Sequence, residues 1–357
     1  MNTIIVTVDL ERLKMSRNKI EINELSESTK ASLKTRVISA IVGIAIVLPC
    51  LMIGDWFFFG VIAFAAAVGT YEIIRCVKPK HSFWITLISA IIILLMTCWP
   101  MLRQVFNSAL EATGWKLWSS FETLYLSIFV LCFAFMIIFF FVVVDKDTSV
   151  GDATFIFTIG LMMAFGFQCL LFTRYYPIVD YYSYNFGWDP AQPLPSVDYF
   201  NTYENCTSSL FTIYICLASF MTDVGAYFTG ILFGKHKMNE RISPKKTWEG
   251  FFGGIVLSTV VSVGMLLPMA LTKHPLLSIL DMAHWYNIVV LAIGIPLFSV
   301  LGDFVFSSLK RYYGIKDFGN IIPGHGGILD RVDSLLFAVI FVAVYICMVS
   351  GKVMPLL

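Results

Sequence analysis

The sequence predicts an all-α polytopic membrane protein. Of its 357 residues, 58% are hydrophobic and only 14% are charged, which is more apolar surface than a soluble core can bury. Apolar stretches close to the ~20 residues that cross a bilayer recur along the chain. Because hydrocarbon offers no hydrogen-bonding partner to an open backbone, we expect each stretch to form a helix.

Hydrophobicity marks about nine transmembrane helices. They are expected at residues 37–54, 56–74, 83–102, 121–144, 150–173, 209–233, 251–271, 288–309 and 335–350. With the N-terminus in the cytoplasm and the C-terminus outside, the inner segments hold 20 of the 25 lysines and arginines. Cytoplasmic segments of membrane proteins are enriched in these residues, so we expect this orientation.

The spans divide the chain into three regions. These are a polar cytoplasmic tail at 1–36, an N-terminal scaffold of about five spans at 37–208, and a C-terminal catalytic region of about four spans at 209–357. A Tyr- and Pro-rich outer loop at 174–208 closes the scaffold, and we expect it to be irregular. The tail is unlike a cleavable signal peptide, so the first span is expected to direct insertion. The apolar composition argues against nucleic acid as a partner.

Two spans carry polar stripes with an acidic residue. Asp303, Ser307 and Lys310 are four and three residues apart, so they share one helix face. A second stripe with helical spacing surrounds Asp223. A carboxylate in hydrocarbon costs at least about 2.5 to 3.5 kcal/mol, so we expect Asp223 and Asp303 to share a site suited to Mg²⁺. The alternatives are a structural ion pair between Asp303 and Lys310 and a polar packing seam around Asp223.

The loop after the sixth span, FGKHKMNERISPKKTWEGFFGG, is rich in basic residues. Beside a membrane such residues are most often topological anchors or contacts to anionic lipid, which is our interpretation of Lys235 and Lys237. Ser243, Lys245 and Lys246 flank a proline, and the glycines that follow permit close backbone approach. We expect this segment to cradle phosphate groups.

Residues 307–334, SSLKRYYGIKDFGNIIPGHGGILDRVDS, combine both charges with glycine. The charged residues singled out here are Lys310, Arg311, Lys316, Asp330, Arg331 and Asp333. Gly326 and Gly327 let the main chain approach a ligand beside His325. His325 is a candidate general base or, as a lone histidine, a solvated side chain. The mixture is typical of phosphoryl or nucleotidyl transfer, in which the protein positions oxygens and offsets charge.

This segment resembles the signature of CDP-diacylglycerol synthases, also called phosphatidate cytidylyltransferases. The matching positions run from Ser307 through Lys310, Lys316 and the Pro-x-His-Gly-Gly stretch to Asp333. The segments DVGAYFTGILFGK and ISPKKTWEGFFGG resemble a second region of that family. The likeness therefore covers about residues 209–334, whereas the first half resembles the family only in its hydrophobic spans.

The resemblance implies a membrane nucleotidyltransferase that condenses CTP with phosphatidic acid in phospholipid biosynthesis, giving CDP-diacylglycerol and pyrophosphate. It implies Mg²⁺ held by Asp303 and Asp330, with Lys310 as a further catalytic residue. A K⁺ ion beside the divalent metal and a homodimer are also known in the family. The residues expected to bind substrate are Asp223, Ser243, Lys245, Lys246, Ser307, Arg311, Lys316, His325, Gly326, Gly327, Arg331 and Asp333.

Other functions fit parts of the pattern. A CDP-archaeol synthase would use an ether lipid, and a polyprenol kinase would also consume CTP, although the full motif disfavours the kinase. In a lipid transporter, Asp223 and Asp303 would line a permeation path. We expect a bacterial plasma membrane with the site facing the cytosol, since no organelle-targeting segment is visible; the endoplasmic reticulum is the alternative.

Overall fold

The computed structural model describes residues 27–77, 84, 87–99, 120–146, 148–186, 203–272, 274–324 and 326–350. Its helices are α1 (Glu27–Ile53), α2 (Asp55–Val77), α3 (Leu87–Trp99), α4 (Ser120–Val144), α5 (Val150–Phe186), α6 (Tyr203–Phe233), α7 (Trp248–Leu271), α8 (Trp285–Tyr312) and α9 (Leu329–Ser350). Among the described residues, six helices are long and apolar enough to cross a membrane, namely α2 and α5 to α9. Helices α1, α3 and α4 contain shorter apolar segments. The all-α polytopic class is confirmed, and the chain is an integral membrane protein.

A small β-hairpin joins α6 to α7. Strands β1 (Lys237–Asn239) and β2 (Ser243–Thr247) pair antiparallel, with Lys237 opposite Thr247. The side chain of Asn239 closes the turn by accepting hydrogen bonds from the backbone N–H groups of Arg241 and Ile242 at 3.1 and 3.2 Å. Thr247 then caps α7, its Oγ1 accepting from the N–H of Gly250 at 3.2 Å. The segment expected to cradle phosphate groups is therefore mostly an extended strand.

One hydrophobic core contains side chains from both the scaffold and the catalytic region. Phe58 of α2 and Phe167 of α5 are buried in the same cluster as Phe211 of α6, Leu291 of α8 and Val339 of α9. The last four helices also pack closely on one another. The scaffold helices therefore support the catalytic region directly.

Helices α6 and α7 approach through glycines, as close helix pairs in membranes commonly do. A Cβ atom on Gly254 would lie 2.6 Å from the carbonyl oxygen of Thr222 and 3.2 Å from the Cβ of Ala226. A Cβ atom on Gly225 would lie 2.9 Å from the Cα of Gly254. Any larger residue at these positions would separate the helices.

The predicted outer loop is wrong at both of its ends. Residues 174–186 continue α5 through Pro177, and residues 203–208 already belong to α6, while 187–202 lie outside the described residues. Arg174 is fully buried; its Nε donates to the carbonyl oxygen of Leu51 at 2.9 Å and its Nη1 to Ser208 Oγ at 2.8 Å. These long-range bonds hold a Tyr- and Pro-rich segment in helix, which local composition does not reveal.

We expect Gly254→Ala to lower the free energy of unfolding by about 1–3 kcal/mol, because the added methyl overpacks the α6–α7 contact. Gly264→Ala is the matched control in the same helix, since nothing lies within 4 Å of a Cβ atom there. Thermal unfolding of the detergent-solubilised proteins measures both effects. Equal midpoints for the two variants would contradict the close packing.

Candidate active site

Lys310 occupies the centre of a buried charge cluster at one end of the helix bundle. It lies near the end of α8 and is 8% exposed. Its Nζ is 2.9 Å from Asp330 Oδ1 and 3.6 Å from Asp333 Oδ2, both in the first turns of α9. A buried charge is tolerated when it is paired. One ammonium therefore serves two carboxylates, which joins the end of α8 to the start of α9.

Asp303, also on α8, forms its ion pair with the hairpin. Lys246 Nζ forms an ion pair with Asp303 Oδ2, and Ser307 Oγ donates to Asp303 Oδ1 at 3.1 Å. The same ammonium lies 4.1 Å from the centroid of the Phe304 ring. In this structure Lys310 pairs with α9 and Asp303 with Lys246, so the alternative of an Asp303–Lys310 ion pair is wrong.

Carboxylates from three helices lie within electrostatic range of one another. Asp223 of α6 interacts with Asp303 and with the basic residues Lys246 and Arg331. Asp333 of α9 interacts with both Asp303 and Asp223. The fold thus brings together acidic residues that lie far apart in the sequence: Asp223 and Asp333 are separated by 110 positions.

The stripe that carries Asp223 also has a packing role. Ser219 and Ser299 share a hydrogen bond of 2.9 Å between their hydroxyl oxygens, which joins α6 to α8. Thr222 donates within its own helix to the carbonyl oxygen of Ala218 at 2.8 Å. The stripe is therefore a polar seam at Ser219, while Asp223 faces the other charges.

The carboxylate of Asp330 binds main-chain groups of the loop between α8 and α9. Its Oδ2 accepts from the N–H groups of Phe318 at 2.8 Å and Gly327 at 3.1 Å, while Oδ1 accepts from Lys310. Gly326 has a φ of +85°, and a Cβ atom there would lie 3.1 Å from Asp330 Oδ2. Asp330 therefore has partners on both oxygens and organises the main chain of the signature segment.

The remaining predicted residues lie on the hairpin, at the end of α8 and in the signature segment. Arg311 connects the hairpin to the loop: its Nε donates to the carbonyl oxygen of Ile242 at 3.3 Å and its Nη1 to that of Ile315 at 3.2 Å. Ser243 lies on β2 and is partly buried. His325 lies outside the described residues. The exposed basic residues available to a charged ligand are Lys245, Arg311, Lys316 and Arg331.

Glu72 is a residue of this region that the sequence analysis missed. It lies on α2 and its carboxylate accepts hydrogen bonds from the backbone N–H groups of Ile328 and Leu329. The one signal in the sequence was an acidic residue within an apolar span, the type of residue that is rarely tolerated there without a function. The hydrophobic pattern of α2 alone did not indicate its partners.

The oxygen ligands of the cluster fit Mg²⁺. Among the described residues, no group of three or more His, Cys, Asp or Glu is arranged to enclose a metal ion alone. Mg²⁺ in nucleotide sites is commonly held by one or two carboxylates together with phosphate oxygens and water. The partly exposed Asp303, beside Asp223 and Asp333, provides hard oxygen ligands of this kind. Asp330 would have to release Lys310 to take up an ion with its Oδ1.

Comparison with known proteins gives a consistent family match. Residues 34–349 match the model described as the cytidylyltransferase family. Proteins named phosphatidate cytidylyltransferase from Bacillus subtilis, Staphylococcus epidermidis and Staphylococcus aureus are 44%, 45% and 43% identical over 131, 136 and 136 residues. These alignments cover 37%, 38% and 38% of this chain and 45%, 48% and 48% of the respective relatives. The chain thus spans about half the length of the curated relatives it matches.

Replacing Gly326 with alanine should loosen the loop around Asp330. A positive φ costs an L-residue about 1–2 kcal/mol, and the methyl group would also press on the carboxylate. Gly314→Ala is the control for the backbone cost alone, because Gly314 has a φ of +68° but nothing within 4 Å of a Cβ atom. Hydrogen–deuterium exchange across residues 315–330 should rise more in Gly326→Ala than in Gly314→Ala. Equal exchange in the two variants would show that the loop does not close on Asp330.

Proposed function

This chain belongs to the cytidylyltransferase family, and we propose that it transfers the CMP unit of CTP to phosphatidic acid, giving CDP-diacylglycerol and pyrophosphate. The observation that carries this proposal is the gathering of Asp223, Asp303 and Asp333 with Lys246 and Lys310 at one end of the membrane helices. A site of this composition suits two phosphate-bearing substrates, one dissolved in water and one anchored in lipid. The bacterial relatives carry the name phosphatidate cytidylyltransferase, which supports the same reaction.

The transfer requires one bond to form and one to break. A phosphate oxygen of phosphatidic acid attacks the α-phosphorus of CTP, and the bond from that phosphorus to the β-phosphate bridging oxygen breaks, releasing pyrophosphate. A phosphate monoester has a second pKa of about 6 and is largely ionised at neutral pH, so a strong general base is not required. The protein then acts by positioning the two substrates and offsetting their charge.

The basic residues have distinct positions for this task. Lys245, Arg311, Lys316 and Arg331 are exposed and available to bind the triphosphate and the departing pyrophosphate. Lys246 lies between Asp303 and the Phe304 ring, where it can exchange a carboxylate partner for a phosphate oxygen. Lys310 is buried with α9 and keeps the acidic residues in place.

We propose Mg²⁺ as the cofactor, with Asp303 as a ligand and Asp223 and Asp333 beside it. When bound, the ion would offset charge on the triphosphate oxygens. Asp330 stays a predicted ligand whose present hydrogen bonds favour a role in holding the loop. A K⁺ ion at the site and a homodimer rest on the family resemblance alone.

The site is proposed to face the cytosol of a bacterial plasma membrane. CTP is a cytosolic nucleotide, and the loops that carry the basic residues hold much of the chain's positive charge, as cytoplasmic segments do. The bacterial origin of the three relatives supports this membrane over the endoplasmic reticulum. A transporter has no need for the basic hairpin and the glycine-rich loop, which lie at the charge cluster.

Purified protein in detergent should release pyrophosphate from CTP only when phosphatidic acid and Mg²⁺ are both present. Asp303→Asn should lower turnover by about 100-fold or more, because it removes charge from the proposed metal site. Asp281→Asn is the control, since Asp281 pairs with His284 in the connection before α8. Mass spectrometry of the lipid product checks the identity of CDP-diacylglycerol.

A panel of acceptors separates the alternatives. A preference for ether-linked glycerol phosphate would indicate a CDP-archaeol synthase, and formation of CDP with a phosphorylated polyprenol would indicate a kinase. Either result would contradict the proposal, as would full turnover in Asp303→Asn.

A further inference from the structure

Glu72 connects the scaffold to the signature loop. It lies on α2, is 1% exposed, and accepts hydrogen bonds from the N–H of Ile328 on Oε1 at 3.0 Å and from the N–H of Leu329 on Oε2 at 2.9 Å. In the described part of the chain its hydrogen-bond partners are these two amides rather than a basic side chain. A buried carboxylate held only by main-chain amides fixes the position of that main chain.

The two amides lie at the start of α9. The first N–H groups of a helix have no partner within the helix, and a carboxylate near them is favourable because of the helix dipole. Such caps usually come from the residue just before the helix. Here the cap comes from 256 and 257 positions earlier in the chain. A scaffold helix therefore supplies the cap of α9.

Two glycines of the signature enclose Glu72. A Cβ atom on Gly319 or on Gly327 would lie 2.5 Å from Glu72 Oε1. No side chain fits at either position while Glu72 keeps its place. The sequence predicts that glycine at position 327 lets a ligand approach the main chain. The structure gives a different reason for a glycine there, which is the space taken by the Glu72 carboxylate.

The segment that Glu72 holds leads directly to the charge cluster. The N–H of Gly327 donates to Asp330 Oδ2, and Leu329 immediately precedes Asp330, which accepts from Lys310. We infer that Glu72 is a positioning residue, which fixes residues 327–329 so that Asp330 meets Lys310 and α9 presents Asp333 to the site. Its effect on turnover rests on the proposed function, whereas its effect on the loop does not.

Glu72→Gln preserves the shape of the side chain but turns one acceptor into a donor that faces an N–H group. We expect kcat to fall about 10- to 100-fold, as for other residues that orient a site without touching substrate, with little change in the KM for CTP. Asp180→Asn is the matched control, because Asp180 is also buried and accepts a hydrogen bond from the backbone N–H of Ser278 at 2.6 Å. Asp180 lies near one end of α5. The opposite end of α5 carries Phe155, whose ring contacts Tyr313 just after α8. That variant should keep wild-type kcat.

A rescue experiment separates direct contact from general destabilisation. Gly327→Ala should be nearly inactive because the methyl group collides with Glu72. Combining it with Glu72→Asp, which shortens the side chain, should restore at least part of the lost turnover. A merely structural role of Glu72 predicts that the two lesions add.

Hydrogen–deuterium exchange keeps this inference distinct from the proposed function. Glu72→Gln should raise exchange at the amides of residues 327–329 whatever the substrate is, and Asp180→Asn should not. Inactive wild-type protein would overturn the proposed reaction but leave this readout intact. Unchanged exchange and kcat in Glu72→Gln, or a double variant no better than Gly327→Ala, would overturn the role of Glu72.

Discussion

The shared pairing of Lys310 with Asp330 and Asp333 is the constraint on which the site depends. It joins the end of α8 to the start of α9 inside the bundle, where an unpaired charge would be costly. Asp330 extends the link by holding the main chain of Phe318 and Gly327. The pairing therefore joins α8, α9 and the loop between them.

Acidic side chains from three helices meet basic side chains at the site. Asp223 and Asp303 lie within electrostatic range of Asp333, and Lys246 pairs with Asp303. The carboxylates are the groups proposed to hold a divalent cation, and the exposed lysines and arginines are the groups proposed to bind phosphates. Because the carboxylates are held by helices rather than by free loops, they would need little reorganisation during the proposed transfer.

Sequence reasoning singled out most of the charged residues of this cluster but few of their contacts. Spacing along one helix places Asp303 and Lys310 on a common face, and the signature segment marks Asp330 by its residue types. The actual partners come from tertiary structure: Asp303 meets the hairpin, and the loop is held by Glu72 from the other half of the chain. Hydropathy likewise predicted the all-α membrane class but ended α5 too early, because the buried bonds of Arg174 extend the helix.

A double-mutant cycle between Lys310→Met and Asp330→Asn tests the central pairing most directly. Lys310→Met leaves Asp330 and Asp333 without their cation and should cost about 3–5 kcal/mol in the free energy of unfolding, whereas Asp330→Asn leaves Lys310 with Asp333 and should cost less. The double variant should lose about 1–3 kcal/mol less than the sum of the two single losses, because the second change removes a charge that the first left without its partner. Titration with a denaturing detergent measures all three variants against wild type. Costs that simply add would show that Lys310 and Asp330 do not stabilise one another, and would contradict this account of the site.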